Sequence, residues 1–322
     1  MKTSFFGKAM LFIFSCAMSF VACNDENSPE TSIDNLTVNN FPIIDGSDST
    51  TPLRTILMCN LMGLNYKWEQ KSIALDNTWF VKPNYEKMDN SDAANLRQRL
   101  KESNTHDSFI NLINGTVELI LTARSISRDE SQYAEEKGVS LIETPIAKDA
   151  FIFIVNPENP VSSLTINQIQ KIYTGYTRNW FEIGGNNQPI SPYIRNRNSG
   201  SQEKMETTVM EGLTMIDWPE MVGGAMMSPY WQIADDVNGI GFTPFYYFNT
   251  IVNNNTTKAL AINGISPNKE NIVNGTYPYI TEVFAIIRRD IDKSSMAYKV
   301  YETLLSTDGR KIIEESRNIP IN

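Results

Sequence analysis

The 322-residue chain predicts an α/β fold with mostly parallel sheets. Three observations lead there. Strand-like apolar runs alternate with segments of helical periodicity, the pattern of successive βα units. Hydrophobic residues make up 41% of the chain, enough for a sizeable core in one large or two medium domains. Three hydroxyl-rich loops, "SDSTT", "SNTHD" and "NRNSGS", each lead into a helix start, and two of them follow strand candidates directly, as the ligand-facing loops of such sheets do.

In chain order, "FPIIDG" is a short apolar run ending in Gly46. "TPLRTILMCNLMGL" puts Leu53, Ile56, Leu57 and Leu61 on one helical face, with Thr51 as N-cap and Pro52 at the first helical position. "THDSFINLING" carries Phe109, Leu112 and Ile113 at helical spacing and stops at Gly115. "VELILT" predicts a strand, "SRDESQYAEEKG" a polar helix, and "VSLIETPIAKDAFIFIVN" one or two strands. "TINQIQKIYTG" is a short helix ending at Gly175, and "QPISPYIR" a strand. "GIGFTPF" and "YITEVFAIIRR" are further strands. "KSSMAYKVYETLLS" and "TDGRKIIEESR" are the last two helices.

The start of the chain reads differently. Lys2 and Lys8 precede an apolar run from Ala9 to Val21, too short to span a bilayer comfortably, which predicts a secretory signal over residues 1–23. The ending "FVAC" resembles a bacterial lipobox, which implies lipidation of Cys23; a plain signal peptide is the alternative. Residues 24–40 are polar and predict a flexible tether. The expected location is the bacterial cell envelope, with a lipid anchor as the only membrane contact, facing either the periplasm or the cell surface. With Cys16 in the signal and Cys23 acylated, Cys59 is left alone among "ILMCNLM" as a small core residue, and no intrachain disulfide is expected.

A net charge of −9 and a pI of about 4.9 exclude nucleic acid and an anionic membrane surface as partners. The chain has one histidine, His106, and neither a Gly-x-Ser-x-Gly elbow nor a His/Cys cluster, so no enzyme, metal centre or cofactor is expected. In "RNRNSGSQEKMETTVM", Arg195 and Ser199-Gly200-Ser201 precede a helical pattern. The stretch reads either as a capping box of Ser199 with Gln202 or as an anion site. Three hydroxyl-rich loops, one with an arginine, favour the anion.

The segment 156–206 carries Asn156-Pro157, "SLTINQIQKIYTGYTRNW", Gly184-Gly185, and Arg195 followed by Ser199-Gly200-Ser201. In these motifs it resembles the phosphate-binding proteins of bacterial ABC importers. "GIGFTPF", "KALAINGISPNKENIVNGTYPYI", "LLSTDGRKIIEESRNIPIN" and "DGSDSTTPL" extend the resemblance from about residue 41 to the end. It implies a two-lobed type II periplasmic-binding-protein fold with hinge strands. Lobe I would hold 41–147 plus 280–322, and lobe II 148–279. It implies capture of inorganic phosphate for an ABC permease, with sulfate, molybdate, a phosphonate or a ligandless surface lipoprotein as alternatives. The implied ligand contacts are Asp48, Ser49, Thr105, Arg195, Ser199, Gly200 and Ser201. The sequence departs from the family pattern at Ala123, where some members place a proton-accepting aspartate, and at Asp48, which stands for a threonine.

Overall fold

The protein is described by a computed structural model over residues 32–73, 76–217 and 219–321. The expected signal segment, Cys23 and the tether up to residue 31 lie outside the described residues. Residues 32–40, expected as tether, instead form hydrogen-bonded turns that pack Ile33, Leu36 and Val38 on the core. Among the described residues no helix is long and apolar enough to cross a membrane.

The principal strands are β1 (Ile44–Gly46), β2 (Tyr66–Ile73), β3 (Asp76–Pro83), β4 (Leu119–Thr122), β5 (Leu141–Val155), β6 (Gly239–Pro244) and β7 (Ile280–Arg288). The helices are α1 (Thr51–Met62), α2 (Asn90–Arg99), α3 (Thr105–Ile113), α4 (Arg128–Glu136), α5 (Ile166–Tyr173), α6 (Gly200–Lys204), α7 (Ser228–Asp235), α8 (Lys269–Val273), α9 (Met296–Leu304) and α10 (Thr307–Glu315).

The sheet is mixed rather than mostly parallel. β1 runs parallel to β4, and β6 parallel to Ser191–Pro192. β7 is antiparallel to both β4 and β5, and β5 is antiparallel to β6. The cause is β5, one unbroken 15-residue strand, which pairs with β7 from Leu141↔Arg288 to Ala150↔Ile280.

Buried side chains fall into two main cores. One gathers Phe41, the apolar face of α1, Leu119, Leu121, Val283, Ala285 and Ile287, with Ile312 and Ile313 of α10. The other gathers Ala150–Val155, Trp180, Ile240, Phe242 and Tyr277. β5 contributes Ile146 and Ala147 to the first core and Ala150–Val155 to the second, so the strand runs through both. Cys59 is buried and unpaired in the first core, and burial pushes its thiol up to about 12.

Local chemistry explains the entry to α1. Gly46 ends β1 because a Cβ there would lie 1.9 Å from the Leu121 carbonyl oxygen. The chain then makes a 3₁₀ turn over Asp48–Thr50 before α1 begins, so Thr50, not Thr51, occupies the cap and Pro52 sits one residue further in. Gly63, at φ 67°, closes the helix. "QPISPYIR" is not one strand: Ser191–Pro192 and Ile194–Arg195 pair with different neighbours, β6 and Val222–Gly223.

The antiparallel hairpin β2–β3 was not among the sequence expectations. Its Trp68 ring stacks under the Arg317 guanidinium at 4.2 Å. β3 also reaches the π-helical turn Tyr247–Val252 of the other half.

Candidate anion site

One wall of the site is built at the carboxyl ends of β1 and β4. The Ser47 N–H donates to the Leu121 carbonyl at 3.0 Å. Its hydroxyl accepts from the Ala123 N–H at 3.1 Å and lies 2.8 Å from Thr105 Oγ1, at the first residue of α3. Asn104 caps α3 by accepting from the Asp107 N–H at 2.9 Å. Three loops are thereby clasped through one serine hydroxyl.

The opposite wall hangs on Arg195. Its backbone N–H donates to Gln202 Oε1 at 3.0 Å, so Gln202 does not complete a capping box with Ser199. Ser199 alone caps α6, accepting from the Ser201 N–H at 3.3 Å. The Arg195 side chain is 6% exposed. Nε donates to the Gly223 carbonyl at 3.1 Å and Nη1 to the Met226 sulfur at 3.3 Å, while Nη2 makes no hydrogen bond among the described residues. Burial pushes the guanidinium pKa down, and Asp48 and then Tyr247 oppose that.

The two walls enclose a cavity of about 110 Å³. Asp48, Ser49, Thr105, Arg195, Ser199, Gly200 and Ser201 all line it. The structure thus brings together all seven residues that the resemblance implies as candidate ligand contacts. Asp48 is exposed and its carboxylate accepts no hydrogen bond among the described residues, so it does not cap a helix. Desolvation in the cleft raises its pKa; Arg195 and Arg54 lower it and Glu102 raises it.

Of the lining residues not singled out from the sequence, three bear on the chemistry. Ser47 is the clasp described above. Arg124 is held by both oxygens of Glu130, at 2.8 and 2.6 Å, which neutralises its charge. Lys204 is the most informative. It is 6% exposed, and its Nζ is buried without a hydrogen-bond partner. Burial lowers it to about 8; Asp149 on β5 raises it and Arg124 lowers it further. Asp149 is itself buried and accepts the Ala150 and Tyr246 N–H groups, at 2.8 and 2.9 Å. Ala123 presents only a methyl group to the cavity, so the wall has no carboxylate at that position.

The sum is a small polar recess with an unpaired guanidinium nitrogen, an unpaired ammonium and several hydroxyls. Such donors hold a desolvated anion well, since a buried donor without a hydrogen-bond partner is costly. His106 faces elsewhere: its Nδ1 lies 3.0 Å from Glu130 Oε1. The ligating atoms of His106, Asp129 and Glu130 fall within 4.8 Å of one another, but Arg124 already occupies the Glu130 carboxylate.

A family model described as the PBP superfamily domain matches residues 90–301. Protein SphX of Synechococcus elongatus is 27% identical over 240 residues, covering 70% of each chain. The phosphate-binding protein PstS of Bacillus subtilis is 26% identical over 194 residues, covering 59% of this chain and 62% of that one. Among solved structures, a candidate phosphate ABC transporter substrate-binding protein from Clostridium perfringens with bound phosphate superposes with a TM-score of 0.62 at 22% identity, covering 87% of this chain and 98% of that one. An ABC-type phosphate transport receptor from Vibrio cholerae gives 0.60 at 21% identity, with 86% and 98% covered. The fold is therefore that of the two-lobed type II periplasmic binding proteins.

Proposed function

Because the chain belongs to the PBP superfamily, we propose that it is a solute-binding protein that captures inorganic phosphate, or a closely similar oxyanion, and delivers it to an ABC importer. One observation carries this reading: Arg195, 6% exposed and with its Nη2 making no hydrogen bond among the described residues, and Lys204, whose Nζ is buried and unpaired, line the same 110 Å³ cavity. The names of the relatives, which refer to phosphate binding and phosphate transport, agree with it.

The proposed ligand set is Asp48, Ser49, Thr105, Arg195, Ser199, Gly200 and Ser201, joined by Lys204. Lobe I would comprise 41–147 and 280–322, lobe II 148–279, with β5 and β7 as the hinge. Ser49 and Thr105 then belong to lobe I, and Arg195, Lys204 and the Ser-Gly-Ser loop to lobe II. An anion held from both sides favours the closed form by the difference in its affinity for the two states. Charge-assisted hydrogen bonds contribute roughly 1.5–3 kcal/mol each. Four or five of them support binding near ~1 μM once association costs are met.

A second reading, another oxyanion such as sulfate or molybdate, is favoured by Ala123, which offers no acceptor for a ligand proton. Calorimetric titration with phosphate, sulfate and molybdate separates the two: the phosphate reading expects phosphate to bind tightest, and tighter binding of sulfate or molybdate overturns it. The "FVAC" ending supports a lipid anchor at Cys23 that holds the protein in the cell envelope. Cys23→Ser is expected to release it from the membrane fraction, and retention at the wild-type level contradicts the anchor.

A further inference from the structure

We infer that the protein also takes organic phosphoryl ligands, phosphate monoesters or phosphonates bearing an aromatic substituent, with the phosphoryl group in the small polar pocket and the substituent in the cleft beside it. This rests on the anion reading of the small pocket. A second cavity of about 970 Å³ opens next to that pocket. Asp48 and Met226 line both, so the two spaces meet at a shared neck. A free tetrahedral oxyanion fills only the small pocket and leaves the larger space unused.

The lining of the larger cleft suits a ring. Trp79 and Phe80 of β3 face it from one half of the molecule, and Trp231 and Tyr247 from the other. Phe80 and Trp231 are 38% and 39% exposed, among the few large apolar side chains that the described surface leaves open to water. Aromatic rings left at a cleft wall gain by covering apolar surface and by offset stacking. Glu102 lines the cleft and, with Asp48, puts two carboxylates near the neck, where they accept hydrogen bonds from a donor on the first atoms of a substituent.

The chemistry of the pocket allows the substituent. A monoester or phosphonate keeps three terminal oxygens for the pocket donors. The fourth position, ester oxygen or carbon, then points out through the neck between Asp48 and Met226. The hairpin β2–β3, which carries Trp79 and Phe80, is what gives this chain its second wall.

The test is titration of the full protein with inorganic phosphate, phenyl phosphate and phenylphosphonate, alone and in competition. Both aryl ligands are expected to displace inorganic phosphate. Trp79→Ala and Trp231→Ala are expected to weaken them at least fivefold while leaving inorganic phosphate within about twofold, since only the aryl ligands bury a ring face against these side chains. Trp231 is exposed and Trp79 half-buried, so Trp231→Ala is expected to keep the wild-type melting curve, and it carries the test should Trp79→Ala lower it. If inorganic phosphate binds but neither aryl ligand competes, the subsite is overturned and the anion pocket stands. Equal weakening of all three ligands in the tryptophan variants overturns it as well. If no ligand binds, the anion reading falls and the subsite with it. Competition by the phosphonate alone or the ester alone assigns the linking atom.

Discussion

Gly200 and Thr105 meet across the anion pocket: a Cβ at position 200 would lie 2.7 Å from Thr105 Oγ1 and 3.2 Å from its Cβ. The loop carrying Arg195 and the start of α3 therefore approach as closely as a glycine permits. Thr105 cannot simply rotate away, because its hydroxyl is engaged with Ser47 at 2.8 Å. Gly200→Ala is expected to hold the two walls apart at a cost of about 1–3 kcal/mol, which lowers anion affinity roughly five- to 150-fold. Titration with phosphate checks this; wild-type affinity would show that the walls need not meet.

Lys204 ties affinity to pH. Its folded-state value lies at about 8, below the usual 10.5. Burying the charged form destabilises the fold below pH 8, and the penalty disappears as pH rises from 8 to 10.5. An anion in the pocket favours the ammonium, so binding just above pH 8 takes up a proton and affinity falls as pH rises further. Calorimetry in buffers of different ionisation enthalpy measures that uptake. Lys204→Met is expected to abolish it and to flatten the stability change between pH 8 and 10.5.

Asp48 is expected to discriminate between anions. Its carboxylate is free, borders the pocket and is held above its ordinary pKa by desolvation. It is expected to accept a hydrogen bond from hydrogen phosphate and to repel a fully ionised sulfate, since two acceptors would then face each other. Asp48→Asn is expected to lower phosphate affinity and shrink the discrimination against sulfate. An unchanged preference would remove Asp48 from the ligand set.

Glu130 is fully buried, binds Arg124 through both oxygens and closes the capping box of α4. Glu130→Ala leaves a buried guanidinium beside the pocket without its partner. The expected loss is about 3–5 kcal/mol in denaturant unfolding. Phosphate is expected to restore part of it, because Arg124 lines the cavity. A loss below ~1 kcal/mol would mean that solvent already screens the pair.

Much of the fold is legible in the chain because its signals are local. α1, α3, β4 and β5 follow from periodicity, and Gly46, Gly63 and Gly115 mark ends whose geometry needs glycine. Strand direction is not local: nothing in "YITEVFAIIRR" tells that β7 runs against β4 and β5. The hairpin was missed although "YKWEQ" and "NTWFV" carry the aromatic and β-branched residues of strands. Of the site, the residues on hydroxyl loops were legible through their resemblance to known loops. Lys204 was not, because a lysine in "SQEKME" reads as a solvated charge, and its burial near Asp149 and Arg124 is set by parts of the chain distant in sequence.

The central claim is that Arg195 is the charge anchor of a bound oxyanion. Removing it leaves a desolvated anion without its main counter-charge, a loss of about 2–5 kcal/mol. The decisive measurement is calorimetric titration of wild-type protein and Arg195→Ala with inorganic phosphate, alongside thermal melts. The account predicts saturable binding by the wild type and at least tenfold weaker binding by the variant, with an unchanged melting curve. Equal affinity in the two proteins, or no phosphate binding by the folded wild type, would contradict it.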